Sequence, residues 1–268
     1  RLNLALDGEC QFAALAGEPG IGKTRLVEEI EKLARVRKVR VLHGRFVEQD
    51  RAFAYQGFVE MIQEYFRSRE GGGSSGEHPD FADLAHDLVT HFPVLGEIAG
   101  LRSSSGTHSP AAESRKADDR TYVYELLART LTRIGGGKPM LLIFENLHGA
   151  EMSLDAIGYV VRRLGPTPTL IIGTYRQTEI EKRHPLVRLL DGFSDDPRFA
   201  SIFLAPFSAS EHRRFVESIV GGSQLAAGLA ETLFDATDAN PFLTKELLRS
   251  LIDSGGIARV ETGEWSLS

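Results

Sequence analysis

The residues Gly17-Glu18-Pro19-Gly20-Ile21-Gly22-Lys23-Thr24 follow the spacing G-x-x-x-x-G-K-[ST], with Arg25 directly after them. Each type has a chemical use. Glycines permit backbone angles that turn successive N–H groups inward around phosphate oxygens, and a helix starting at Lys23 would present its positive end to the same anion. The Lys23 ammonium neutralises charge on the outer phosphates, and the Thr24 hydroxyl offers an oxygen to Mg²⁺. An accidental match in a chain of 268 residues is on the order of one in a hundred. The chemistry this predicts is binding of a nucleotide, ATP or ADP, with Mg²⁺.

A second group lies in LLIFENLHGAE, Leu141 to Glu151. Glu145 ends an apolar run, and its carboxylate suits a hard cation. Asn146 follows it. An amide oxygen accepts a hydrogen bond from water but takes up no proton near neutral pH, so general-base assistance, typically ~10²–10⁴-fold, is absent from that position. Glu151 is a candidate substitute, set against a role in capping the next helix. On their own residues, Arg176, closing GTYR, reads as a surface ion-pair partner, and Pro241 as a plain helix-starting proline. His86 and His91 are five positions apart, wrong for one helical face, so no zinc site is expected, and no serine or cysteine nucleophile stands in a motif.

These residues need a frame. Gln11 to Ala16 is an apolar run ended by Gly17, and Leu26, Val27, Ile30, Leu33 and Ala34 recur at helical spacing, giving strand, glycine loop, helix. Further short apolar runs over Val39–His43, Met140–Phe144, Thr169–Gly173 and Ala200–Leu204 alternate with helical patterns. The fold class expected is α/β, a P-loop NTPase with a five-stranded, mostly parallel sheet followed by a small helical lobe. Glu145, Asn146, Thr174, Arg176 and the glycine loop all fall at strand carboxyl ends, where open α/β sheets bind ligands. After Pro206 the pattern becomes helical: Ser208 and Glu211 form a capping box, and two more helical stretches follow, the last opening on Pro241. The domains expected are residues 1–205 (nucleotide-binding), 206–256 (helical lid) and 257–268, a hairpin turning at Thr262-Gly263 that is either terminal or the start of a following domain. Two stretches rich in glycine and serine, 69–80 and 101–119, read as surface loops.

Composition narrows the partners. A net charge of −6 supplies no global attraction to nucleic acid or anionic lipid. No run reaches the roughly 18 apolar residues a membrane helix needs, and a single cysteine, Cys10 in apolar surroundings, forms no internal disulfide and reads as a buried hydrophobe. A cytoplasmic location is expected, without membrane contact. The first residue is Arg1, so the chain reads as a piece of a longer polypeptide.

GEPGIGKTRLVEEI, LLIFENLHGAEMSLD, LIIGTYR and ANPFLTKELLRSL, in this order, resemble the bacterial ATPase modules of the STAND and AAA superfamily (AAA_16, origin-recognition-like). The resemblance runs from about Leu2 to Ile257. Such modules sit in large signalling proteins with serine/threonine kinase, cyclase, or LuxR- or MalT-like outputs. The family's acidic strand commonly reads L-L-V-L-D-D-L-H-W-A-D. That aligns Glu145 with the aspartate that organises Mg²⁺, Asn146 with the acid that polarises water, His148 with a histidine, and Gly149 with the tryptophan, a degenerate Walker B. By the same resemblance Arg176 matches a sensor arginine, and Asn240-Pro241 matches a G-N-P turn whose proline packs near adenine, with Ala239 in place of glycine.

The function implied is an ATP-binding switch in signal transduction, hydrolysing slowly, in which nucleotide held by sheet and lid sets what flanking domains or a homo-oligomer partner read. The alternatives are a non-hydrolysing ATP/ADP scaffold of a larger kinase, cyclase or transcription regulator, and an origin-recognition-like ATPase acting on DNA. A small-molecule kinase ranks below these, since no arginine-rich lid is apparent.

Overall fold

The computed structural model describes residues 1–47, 54–70, 81–98, 101, 120–220, 224–259 and 265–267. Residues 71–80 and 102–119, most of the two stretches read as loops, and the hairpin turn at Thr262-Gly263 lie outside them. The chain forms two compact units. One comprises Arg1–Leu15 with Glu28–Ile202, the other Ala16–Val27 with Phe203–Ser268.

The first unit carries most of a five-stranded parallel sheet: β1 (Gln11–Gly17), β2 (Arg40–Arg45), β3 (Met140–Glu145), β4 (Thr169–Tyr175) and β5 (Phe199–Leu204), in the order β2-β3-β4-β1-β5. All of β1 and β4, and β3 up to Phe144, are buried. That is why these segments read as unbroken apolar runs rather than alternating ones. Glu145 is where the run, and the burial, stop. The helices of this unit are α1 (Leu2–Leu6), most of α2 (Lys23–Val36), α3 (Gln56–Glu70), α4 (Ala82–His91), α5 (Arg120–Gly135), α6 (Leu154–Arg163) and α7 (Pro185–Asp191).

β2 starts and ends later than its apolar run suggests. The Val39 N–H is taken by the carbonyl of Ala34 in α2, while pairing with β3 carries the strand on to Arg45, opposite Glu145. As an edge strand it would leave every second N–H open. Helix α3 closes that edge: the Glu64 carboxylate accepts from His43 N–H at 2.8 Å and Glu60 from Arg45 N–H at 2.7 Å. Two residues along a strand advance ~6.6 Å and four along a helix ~6 Å, so carboxylates one turn apart match alternate amides. The approach needs two glycines, because a Cβ on Gly44 would lie 2.2 Å from the Gly57 carbonyl oxygen.

The second unit holds the glycine loop with the first turns of α2, and the helices α8 (Ala209–Val220), α9 (Gln224–Thr237) and α10 (Pro241–Asp253), followed by the antiparallel strands β6 (Ile257–Arg259) and β7 (Trp265–Leu267). The expected capping box forms: the Glu211 carboxylate accepts from Ser208 N–H at 2.8 Å, and Ser208 Oγ accepts from Glu211 N–H at 3.4 Å. Val216, Val220, Leu229, Ala230, Leu233, Leu248 and Ile257 form the core. Between α9 and α10 the chain turns through Asp238 and Ala239, both left-handed (φ 47° and 52°). An L-residue gives up roughly 1–2 kcal/mol there, which is the physical reason a glycine suits the position Ala239 occupies.

Candidate functional site

In the second unit, β1 runs into the glycine loop and the loop into α2. Gly20 (φ 78°) and Gly22 (φ 109°) adopt the left-handed backbone that the spacing of the motif requires. Ile21 N–H closes the turn on Glu18 O at 3.3 Å, and Leu26 N–H returns to Gly22 O at 2.9 Å. The amides of Gly20 and Gly22 have no acceptor among the described residues. Lys23 Nζ folds back to donate to the carbonyls of Gly17 and Glu18, each at 2.8 Å, so the ammonium lies along the loop. Glu18, Pro19, Gly20, Thr24 and Arg25 are exposed, whereas Ile21 is buried and pins the loop from beneath.

The same unit brings Asn240 to this loop. Its Oδ1 caps α10, accepting from the N–H groups of Phe242 (3.0 Å) and Leu243 (3.3 Å), and its Nδ2 donates to Pro19 O at 3.0 Å. Pro241 occupies the first turn of α10 beside it.

In the first unit, the parallel register sets Glu145 at the carboxyl end of β3 opposite Arg45 at the end of β2. Arg45 holds Glu145 Oε2 through Nε at 2.9 Å and Nη2 at 2.8 Å. Glu145 Oε1 has no partner among the described residues. Asn146 turns the chain out of the strand with φ 62°, a conformation that asparagine and aspartate tolerate better than other side-chain-bearing residues. Its N–H donates to Thr174 Oγ1 at 3.3 Å, while its carboxamide has no hydrogen-bond partner among the described residues. The next residue, Leu147, packs against Gly173 of β4, where a Cβ would fall 2.3 Å from Leu147 Cδ1.

Arg176 lies against His148 and Glu179. Its N–H donates to His148 Nδ1 at 3.3 Å, and His148 Nε2 lies 2.8 Å from Glu179 Oε2, a contact without hydrogen-bond geometry. The other Glu179 oxygen receives Arg176 Nη1. The structure thus pairs the Arg176 guanidinium within its own element while leaving it 43% exposed. Glu151 sits in a short 3-10 turn before α6 and faces His184 at 3.7 Å.

Sequence reading missed Arg45 and Glu179. Arg45 meets Glu145 only through strand register across 100 positions, which no local pattern reveals. Glu179, three residues after Arg176, carried a local signal as a helical-spacing ion pair. Cys10 is buried and its thiol is pushed up to about 12, chiefly by burial, so it behaves as a small hydrophobe.

Mg²⁺ keeps several waters and takes few protein oxygens, and the exposed Thr24 hydroxyl in one unit and the open Oε1 of Glu145 in the other are each oxygen donors of a kind it takes. Among the described residues no cluster of three or more His, Cys, Asp or Glu side chains is placed to hold a metal unaided. Nor is any helix among them long and apolar enough to cross a membrane.

The description AAA ATPase domain matches residues 1–172, a span containing both the glycine loop and the Glu145–Asn146 strand end. The chain belongs to the AAA ATPase domain family. It is therefore a nucleotide-binding ATPase module, of a kind that generally holds its nucleotide with Mg²⁺. Arg176, Asn240 and Pro241 lie beyond the matched residues of this AAA ATPase domain.

No curated protein sequence matches the chain significantly. Among solved structures, it is similar to a chain of the E. coli MS115-1 HORMA:CdnC:Trip13 complex, with 14% identity, TM-score 0.45, and 91% of this chain and 68% of that one covered. It is similar to a DNA replication initiation factor, with 14% identity and TM-score 0.47, covering 95% of this chain but only 59% of that one. A chain of Drosophila ORC bound to AT-rich DNA and Cdc6 is similar at 12% identity and TM-score 0.37, with 100% and 83% covered.

Proposed function

We propose that this AAA ATPase domain is a nucleotide-held conformational switch within a larger signalling polypeptide, binding ATP·Mg²⁺ or ADP firmly and hydrolysing ATP slowly. The observation that carries the binding half is the glycine loop, whose Gly20 and Gly22 amides are unengaged at the start of α2. In this reading the amides of residues 17–24 surround the phosphates, and Lys23 leaves the carbonyls of Gly17 and Glu18 to neutralise the outer phosphates. Arg25 adds positive charge beside the loop. Thr24 and Glu145 each offer an oxygen that would suit Mg²⁺, which would supply charge neutralisation to the phosphates. Arg176 senses the terminal phosphate, and Pro241 lies near the base.

Slow turnover follows from Asn146. Phosphoryl transfer to water requires the nucleophile to be oriented and to lose a proton. The Asn146 carboxamide orients water through its oxygen but takes no proton, so bound ATP persists. Its lack of a protein partner among the described residues supports a water-facing role. The same observation favours a second reading, a scaffold in which the nucleotide is a permanent structural ligand and stabilises the fold by mass action. In either case the readers of the nucleotide state are flanking domains, such as kinase, cyclase or transcription-regulator outputs, or a second copy of the chain.

Calorimetric titration of the chain with ADP and with ATP·Mg²⁺ tests the binding. One nucleotide per chain is expected, with loss of binding in Lys23→Ala. Absence of saturable binding, or equal binding by Lys23→Ala, would overturn the proposal.

A further inference from the structure

We infer that Asn240 is a positioning residue for the nucleotide, holding one peptide plane of the glycine loop in the orientation that aims an amide at phosphate. The inference rests on the loop being the phosphate site, as proposed above, and adds to it a residue more than two hundred positions away, inside the helical lobe. Asn240 is 6% exposed, and both ends of its carboxamide are hydrogen-bonded. Because Oδ1 accepts from two backbone N–H groups of α10, the other end of the carboxamide must be the NH₂, and that end meets Pro19 O at 3.0 Å.

The consequence follows from peptide geometry. No cis peptide occurs among the described residues, and in a trans peptide the carbonyl and the following N–H point in opposite directions. Tethering Pro19 O to Asn240 therefore fixes the Gly20 N–H on the opposite side. That N–H has no acceptor among the described residues. Gly20 could otherwise rotate with little cost, since glycine populates both signs of φ. The contact is tight: a Cβ on Gly20 would lie 2.7 Å from Phe242 Cβ and 2.9 Å from Asn240 Oδ1, so the first turn of α10 closes directly over the loop.

Asn240 is itself anchored. Its carbonyl receives Thr244 Oγ1 at 2.8 Å, and that hydroxyl meets His212 Nε2 at 2.9 Å and Thr237 Oγ1 at 2.9 Å. His212, Thr237 and Thr244 come from α8, α9 and α10, and all are buried. One polar network thus joins the three lid helices to the loop carbonyl. By linkage, whatever tightens the loop around phosphate also favours the packed lid, and the reverse.

The test uses two variants of the full chain that keep the helix cap. Asn240→Asp retains an excellent cap acceptor but turns the NH₂ into an oxygen facing Pro19 O. Asn240→Ser keeps a cap acceptor too short to reach that carbonyl. ADP affinity and nucleotide-free thermal stability are measured together. The expected result is ADP binding weakened about tenfold in both variants, with the nucleotide-free unfolding temperature of Asn240→Ser close to that of the unaltered chain. Equal ADP affinity in the unaltered chain and both variants overturns the positioning role while leaving the phosphate site intact. Failure of the unaltered chain to bind ADP overturns both.

Discussion

Replacing Asn146 by aspartate exchanges one NH₂ for one oxygen and isolates the chemistry of that position. The backbone should not respond, because φ 62° is a conformation that aspartate and asparagine both tolerate. No side-chain hydrogen bond within the described residues is lost, and the Asn146 N–H bond to Thr174 is untouched. What changes is that a carboxylate can now take a proton from an attacking water. General-base assistance is worth ~10²–10⁴-fold, and the lower end applies here, since a new carboxylate beside Glu145 feels its negative charge. Arg45, bound to Glu145 Oε2 at 2.8 Å, offsets part of that repulsion. The prediction for Asn146→Asp is therefore a roughly hundredfold faster single turnover of ATP, with ADP affinity unchanged. Rapid-quench measurement with the chain in excess over labelled ATP reads the step directly. No acceleration would refute the assignment of Asn146 as the missing base, as would an unaltered chain whose turnover is already fast and indifferent to Asn146→Ala.

Other predictions follow from single contacts. Arg45→Gln should lower the Mg²⁺ concentration needed for half-maximal ATP binding, by up to about fivefold given the modest worth of an exposed ion pair. An unchanged or raised requirement would count against Glu145 as a metal group. Gly44→Ala should destabilise the fold by about 2–3 kcal/mol in urea unfolding, because its Cβ meets Gly57 backbone rather than a movable side chain. A loss below about 0.5 kcal/mol would contradict the close crossing of α3 over β2. His212 is held below its ordinary value of 6.5 by burial. Its contribution to stability is complete above the unfolded pKa and is lost as pH falls from about 6.5 toward the folded value, at up to about 1.4 kcal/mol per pH unit. His212→Gln should flatten the urea midpoint over that window, and an unchanged slope would remove His212 as the cause.

The sheet was legible because its strands are buried on both faces and so carry unbroken apolar runs between helical patterns. The glycine loop was legible because phosphate binding dictates residue types at fixed local spacing. Asn240 and Pro241 stand out through their resemblance to a G-N-P turn, but the Asn240 bond to Pro19 spans 221 positions and follows from tertiary packing alone. The same holds for Arg45, whose partner is set by strand register, and for the edge-closing pair Glu60 and Glu64, which read only as polar positions of an amphipathic helix. For Arg176 the strand end itself admits an ion pair and the resemblance a sensing role, and the structure supplies the ion pair, to Glu179, without removing the guanidinium from solvent.

The central claim is that ATP and ADP hold this chain in different conformations. Amide hydrogen exchange of the nucleotide-free, ADP-bound and ATP·Mg²⁺-bound chain measures it across the glycine loop and the first turn of α10. Both nucleotides are expected to slow exchange at Gly20, Gly22 and Phe242, with a pattern over α8, α9 and α10 that differs between ATP and ADP. Identical protection with the two nucleotides would contradict a switch and leave a scaffold.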